Sequence, residues 1–389
     1  MKHEELLHRC FRCGWCKMPL NYADFNCPSY LQYRFESFTA GGRMWLIRAW
    51  QQGELKAGER LAQILFTCVT CKNCVQTCAM AGIREQLVEI FMAAKGELAE
   101  QGLVPPSVRD YLKAMQTHGN PYKRPDAERA RWAEGLDLPR YSGQEYLFYV
   151  GDEGAFDELG IGMARSVARL LGKAGVDFGI LGEAETSDGN DVRAAGEESL
   201  ARALAENLTG KLNDLGVKKV VTLSPHAFNI LKTDYPAWGG VFAVEHWSQV
   251  VARRVRALAP AGPSLAPAGP SLAVTFHDPC YLGRWQGEYE APRALLRAVP
   301  GLTLLEMPRS RQNALCCGGG GGNFFTDILG HGGDQAARVR VREAAETGAA
   351  VLAAACPLCL KMLDDAVKAE GLGDRLAVRD LATLLLAAR

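Results

Sequence analysis

Cys68-Val69-Thr70-Cys71-Lys72-Asn73-Cys74-Val75-Gln76-Thr77-Cys78 puts four cysteines into eleven residues, separated by two, two and three positions. Upstream, Cys10, Cys13 and Cys16 repeat the two-two step, and ten residues separate Cys16 from Cys27-Pro28. Downstream no cysteine occurs until Cys280, which is followed by the adjacent pair Cys316-Cys317 and by Cys356-Pro357-Leu358-Cys359. Two cysteine-rich modules therefore flank a cysteine-free middle. Thirteen cysteines cannot all pair within one chain, and a reducing compartment would keep the thiols free.

The remaining composition excludes other classes. Forty-four Lys and Arg balance forty-four Asp and Glu, so the surplus positive charge of a general nucleic-acid binder is missing. No apolar run reaches the roughly 18–20 residues of a membrane-spanning helix; the longest candidates are Ala349–Leu360 and Leu381–Ala388. The opening Met1-Lys2-His3-Glu4-Glu5 does not read as a secretory leader. The expectation is a cytoplasmic chain.

Two C-x2-C-x2-C runs, each with a fourth cysteine, match the bacterial ferredoxin signature for two [4Fe-4S] clusters. Three cysteines in a short loop can wrap one face of a cubane, and in two-cluster ferredoxins the fourth comes from the other run. This assigns Cys10, Cys13, Cys16 and Cys78 to one cluster and Cys68, Cys71, Cys74 and Cys27 to the other. Zinc is the competing reading, since C-x2-C pairs also build tetrahedral zinc sites; the triple step favours clusters. Departures from the signature are the long gap before Cys27 and Ala79 in place of proline after Cys78. Arg43–Trp50 and Arg84–Glu100 show apolar residues at helical spacing, so residues 1–100 are expected to form a helical ferredoxin-type module and not the compact βαβ kind. Its aromatics Trp15, Tyr30, Phe35, Phe38, Trp45 and Trp50 are either a shield for the clusters or ordinary core.

In the last part, five cysteines are too many for one tetrahedral metal and one too many for a cubane. Adjacent Cys316 and Cys317 suit an open cluster in which neighbouring thiolates reach different irons. Gly318–Gly322 follow, and glycine permits positive φ and close backbone approach to a bulky body. A phosphate-loop reading of this run fails for want of a following Lys-Ser or Lys-Thr. His277, Asp278 and Arg284 flank Cys280; they supply protons or steady a thiolate, or else form a hydrogen-bonded turn with a surface arginine.

Cys280, Cys316-Cys317-Gly318 and Cys356-x2-Cys359 resemble the cysteine-rich CCG domain of heterodisulfide reductase catalytic subunits. The same domain occurs in the iron–sulfur subunits of anaerobic glycerol-3-phosphate dehydrogenase and glycolate oxidase, and in membrane complexes of sulfur metabolism. A ferredoxin module fused in front is also that family's arrangement, so the resemblance covers nearly the whole chain. It implies that Cys280, Cys316, Cys317, Cys356 and Cys359 hold a noncubane [4Fe-4S] cluster that works on disulfides, with His277 as a catalytic candidate.

CCG domains usually come in pairs, which prompts a search of the middle for an internal copy. Tyr146–Val150 parallels Leu272–Phe276, Gly162–Leu171 parallels Ala291–Ala298, and Val220–Ala227 parallels Leu352–Cys359. In that register Ser224 and Ala227 replace Cys356 and Cys359, and Thr186-Ser187-Asp188-Gly189 fills the Cys-Cys-Gly slot. Such residues cannot stand in for a soft thiolate set. The expected architecture is α+β multidomain: residues 1–100 the ferredoxin-type module, 101–145 a connector, 146–258 a degenerate CCG-like α/β domain without a cluster, 259–272 a Pro/Ala/Gly linker, and 273–389 the CCG domain with its cluster. A lone His226 in the middle reads as structural.

Two functions fit this layout. One is a heterodisulfide reductase-like thiol–disulfide oxidoreductase acting on a small or protein disulfide. The other is a pure electron-transfer subunit between a flavin dehydrogenase and membrane quinone. Both expect two cubane clusters and one noncubane cluster, and a place in anaerobic metabolism. Both also expect a flavoprotein or a b-type cytochrome-like quinone-interacting subunit as partner, and peripheral attachment on the inner face of the membrane through it.

Overall fold

The computed structural model describes residues 3–254 and 271–387. The linker expected over 259–272 lies, up to residue 270, outside the described residues.

Among the described residues of the first hundred there are helices and loops but no strand. The helix Ala40–Gln51 starts at Thr39, whose hydroxyl accepts from Gly42 N and so satisfies one free helix-end donor. It buries Met44 and Ile47 against Leu65, Phe66, Ile90, Phe91 and Leu98, contributed by the helices Glu59–Phe66 and Leu87–Glu100. The cysteines lie outside these three helices, Cys16 on the 3-10 turn Trp15–Lys17 and Cys74 on the short helix Asn73–Thr77. Of the aromatics, Phe38 is buried in this module, whereas Trp15 and Phe35 are exposed.

The rest is α/β. Strands β1 (Tyr146–Tyr149), β2 (Phe178–Gly179), β3 (Lys219–Thr222) and β4 (Ala243–His246) form one parallel sheet in the order β2-β1-β3-β4. Strands β5 (Leu272–His277), β6 (Leu302–Leu304), β7 (Val351–Ala354) and β8 (Ala377–Asp380) form a second in the order β6-β5-β7-β8. The order is the same, so the middle and the end of the chain share one topology. The central strands are apolar runs because helices cover both faces of a parallel sheet. One core joins the sheets: Phe148 and Val221 of the first, with Trp247 at the start of the helix after β4, pack with Val274, Phe276 and Val351 of the second.

Strand register fixes which positions correspond. Tyr149 pairs with Thr222 in the first sheet, and His277 with Ala354 in the second. Two residues beyond β3, Ser224 caps the helix Pro225–Thr233; two residues beyond β7, Cys356 caps the helix Pro357–Ala369. Three residues beyond β1 stands Asp152, where three residues beyond β5 stands Cys280. The chemistry-bearing residues of the second sheet thus gather at the carboxyl ends of its strands, where open α/β sheets place their sites.

Candidate metal centre

Cys10, Cys13, Cys16 and Cys78 line one cavity of about 330 Å³, walled by Phe11, Trp15 and Ile83. Cys13 is exposed, and Gly41 N donates to Cys16 Sγ at 3.3 Å. Cys27, Cys68, Cys71 and Cys74 line a second cavity, closed by Arg43, Val88 and Phe91, and Cys16 lies between the two. The long gap before Cys27 is spanned by a turn in which Asn26 N and Cys27 N both donate to Lys17 O. Burial pushes the Cys16 thiol up to about 12 and also raises Cys74, with neighbouring sulfurs adding to the effect. Soft sulfur donors that cannot ionise side by side without a cation are a fitting set for an iron–sulfur cluster. The buried Lys95 Nζ donates to Cys68 O at 3.0 Å and to Ala194 O at 2.9 Å; burial lowers it to about 8.

The last five cysteines converge. Cys316 Sγ lies 3.7 Å from Cys280 Sγ, and Cys317 Sγ 3.3 Å from Cys359 Sγ. Adjacent Cys316 and Cys317 each meet a different partner and also interact with one another through their thiols. Hydrogen bonds from the Cys316 and Cys359 thiols hold Cys317 well below the ordinary thiol range, and His277 adds to this. A thiolate among thiols suits a soft metal cluster. All five are 5% exposed or less. Disulfide chemistry at these thiols would need an opening that these exposures do not give.

A ring nitrogen of His277 and the sulfurs of Cys317 and Cys359 all lie within 4.8 Å of one another. Arg340 Nε donates to His277 Nδ1 at 3.3 Å, which puts the ring proton on Nε2. Burial keeps His277 below its ordinary value, hence neutral. Asp278 is structural: it takes a bidentate pair from the buried Arg293 at 2.6 and 2.9 Å. Arg284 is not a surface residue. It is buried, lies on a π-helical turn directly after Cys280, and donates to Cys71 O and Ala314 O.

The five-cysteine site adjoins the second ferredoxin-type cavity. The Cys71 and Cys316 thiols are hydrogen-bonded to each other. Tyr281 Oη meets Thr70 Oγ1 at 2.8 Å, and Trp285 Nε1 donates to Thr70 O at 2.9 Å. The glycine run explains the fit. A Cβ on Gly320 would stand 2.6 Å from Val69 O, and one on Gly321, whose φ is +64°, 2.7 Å from Cys68 O. The close approach read from these glycines is thus to the backbone of the ferredoxin loop.

Positions in the cysteine-free sheet that correspond to the cysteines of the second sheet carry other groups. Asp152 pairs with buried Arg129 at 2.8 Å, and Ser224 Oγ accepts from His226 N at 3.2 Å. His226 is not alone, as its sequence context had implied: Asp191 Oδ2 lies 2.9 Å from its Nδ1. Arg340, Lys95 and Asp191 carry no motif. They were missed because each acquires its role only through contacts with elements far away in the chain.

Comparison with known proteins agrees with this geometry. Residues 274–364 match the cysteine-rich CCG domain, and residues 6–82 match the 4Fe-4S dicluster domain. The chain thus carries a cysteine-rich CCG domain behind a 4Fe-4S dicluster domain. It resembles heterodisulfide reductase subunits and FadF-like iron–sulfur proteins. It is 34% identical to the probable iron-sulfur-binding oxidoreductase FadF of Bacillus subtilis, over 82% of this chain and 46% of that protein. It is 31% identical to the EtfAB:quinone oxidoreductase of Syntrophomonas wolfei, over 83% and 46%. It is 29% identical to a subunit of the dihydromethanophenazine:CoB–CoM heterodisulfide reductase of Methanosarcina barkeri, over 97% and 93%. The chain thus spans about half the length of the first two relatives and nearly all of the third. Among the described residues no helix is long and apolar enough to cross a membrane.

Proposed function

We propose that this chain carries electrons one at a time between a redox partner at the Cys13 end and the five-cysteine site. In this reading Cys10, Cys13, Cys16 and Cys78 hold one cubane, and Cys27, Cys68, Cys71 and Cys74 the second. Cys280, Cys316, Cys317, Cys356 and Cys359 hold a noncubane cluster, and the first sheet domain is a repeat without one. Iron–sulfur clusters supply one-electron exchange at potentials set by hydrogen bonding and burial. The protein's own part is to space the sites and keep water from them. The observation that carries the reading is that Arg284 and Trp285, on the turn after Cys280, donate to Cys71 O at 2.6 Å and Thr70 O at 2.9 Å, which sets the third site against the second.

The partners are a flavoprotein on one side and a quinone-interacting membrane subunit on the other, with the chain peripheral on the cytoplasmic face. The names of the FadF-like and EtfAB:quinone relatives support this, as do the buried thiols, which suit a relay. A second reading, thiol–disulfide chemistry at the five cysteines, is favoured by the neutral His277 beside Cys317 and Cys359 and by the likeness to the heterodisulfide reductase of Methanosarcina barkeri.

Electron paramagnetic resonance of the anaerobically purified, reduced protein tests both. Three distinguishable signals are expected, and two or fewer would overturn the three-cluster scheme. A third signal that changes when thiols or disulfides are added selects the disulfide reading; one indifferent to all of them selects the relay.

A further inference from the structure

His226 begins the helix Pro225–Thr233 and is buried. In the second sheet the corresponding position is Leu358, an apolar core residue, so packing alone does not require a histidine there. Its partner Asp191 faces two ways. Oδ2 meets His226 Nδ1 at 2.9 Å, and Oδ1 accepts from Gly322 N at 3.2 Å, in the glycine run after Cys317. The His226 ring lies against Tyr281, the residue after Cys280, with centroids 4.1 Å apart. Tyr281 in turn reaches Thr70, between Cys68 and Cys71. One ion pair from the cysteine-free domain thus touches the loop after Cys316-Cys317, the loop after Cys280 and, through Tyr281, the second ferredoxin loop.

We propose that His226, held by Asp191, is a positioning residue of the five-cysteine site: a cation contributed across the domain boundary that balances the negative charge arriving with each electron. The proposal rests on the reading that those five cysteines hold a redox cluster. The groups facing His226 are Asp191, Glu153 and Asp188 from its own domain and Cys356 and Tyr281 from the other. Burial alone would lower the imidazole, but the Asp191 carboxylate overrides it and lifts His226 to about 10. Adding an electron to a buried site is opposed by nearby carboxylates and helped by a nearby cation, because charges interact strongly where water is scarce. His226 is the group that keeps Asp191 from acting as the former.

Potentiometric titration of the clustered protein, followed by electron paramagnetic resonance, tests this in wild type, His226→Gln and Asp191→Asn. The neutral amide introduced by His226→Gln would leave Asp191 uncompensated. The third midpoint is expected to move negative by at least a factor of about ten in the redox equilibrium, 59 mV for one electron, while both cubane midpoints stay put. In Asp191→Asn the imidazole loses its anion and titrates nearer its ordinary range, so the third midpoint is expected to gain a pH dependence between about pH 5 and 8 that wild type lacks. Iron content and intact cubane signals show that each variant is folded. An unmoved third midpoint in His226→Gln, or an equal shift of all three, overturns the proposal. Absence of a third signal in wild type would instead defeat the reading of the five cysteines, and this inference with it.

Discussion

Cys71 and Cys316 interact through their thiols, although one belongs to the ferredoxin-type loop and the other to the Cys-Cys pair of the second sheet domain. The modules are therefore joined at the chemistry itself. Cys71, Val69, Cys280, Cys316 and Cys356 share one buried cluster with Leu352 and Leu363. Removing a ligand on one side of this contact should still leave the other side intact, because each cavity has its own four or five thiols.

Cys317→Ser is the direct check. Iron should fall from about twelve to about eight per chain, as expected for losing one of three four-iron clusters, and only the third paramagnetic signal should vanish. Loss of all three would contradict the division of ligands. Zinc in place of iron and acid-labile sulfide would contradict it more deeply.

Arg340 holds His277 through Nδ1 and is itself paired with Glu343 at 2.7 Å. Arg340→Met leaves a buried carboxylate with one cation fewer, and breaking such a pair costs about 3–5 kcal/mol. Urea unfolding under anaerobic conditions should show this loss. His277→Ala should cost less stability but alter the third signal, since it removes the donor beside Cys317. A third signal identical to wild type would separate His277 from the site.

Gly321→Ala forces a side chain into positive φ and against Cys68 O. About 1–3 kcal/mol of strain follows, and the second and third sites must move apart. Rapid-freeze measurement of electron passage from the second to the third cluster should show a slower step. An unchanged rate with a normal unfolding midpoint would show that the contact is soft.

Burial raises Glu185 to about 8 and Asp188 to about 7. Both acids have folded values above their unfolded ones, so the stability they contribute is fully present below about pH 4 and is lost as pH rises through 7 to 8. Glu185 accepts from Val150 N and Gly151 N, bonds that a glutamine oxygen can also accept. Glu185→Gln should therefore flatten the fall in unfolding midpoint between pH 5 and 8. A slope equal to wild type would place the titration elsewhere.

The grouping of the first eight cysteines was legible from spacing: Cys10, Cys13, Cys16 and Cys78 share one cavity, and Cys27, Cys68, Cys71 and Cys74 share another. The repeated sheet was legible as well: the apolar runs at Tyr146 and Leu272 became corresponding central strands, and Ser224 and Cys356 cap corresponding helices. What spacing could not reveal was the charge around the ligands. Arg284 looked like a surface residue because nothing local announces that Cys71 O awaits it. His226 looked solitary because Asp191, its partner, lies on another helix. Burial of a charge is decided by the whole fold, whereas a metal loop is decided by a dozen neighbours.

The glycines resting on Cys68 and Val69 have a further bearing on speed. Tunnelling falls off steeply with separation, and here the gap is set by main chain lying on main chain, with no rotamer able to widen it. In the proposed relay, thermal motion of side chains would then leave the spacing of these two sites almost unaltered, and the pace would be governed by how redox partners arrive and depart.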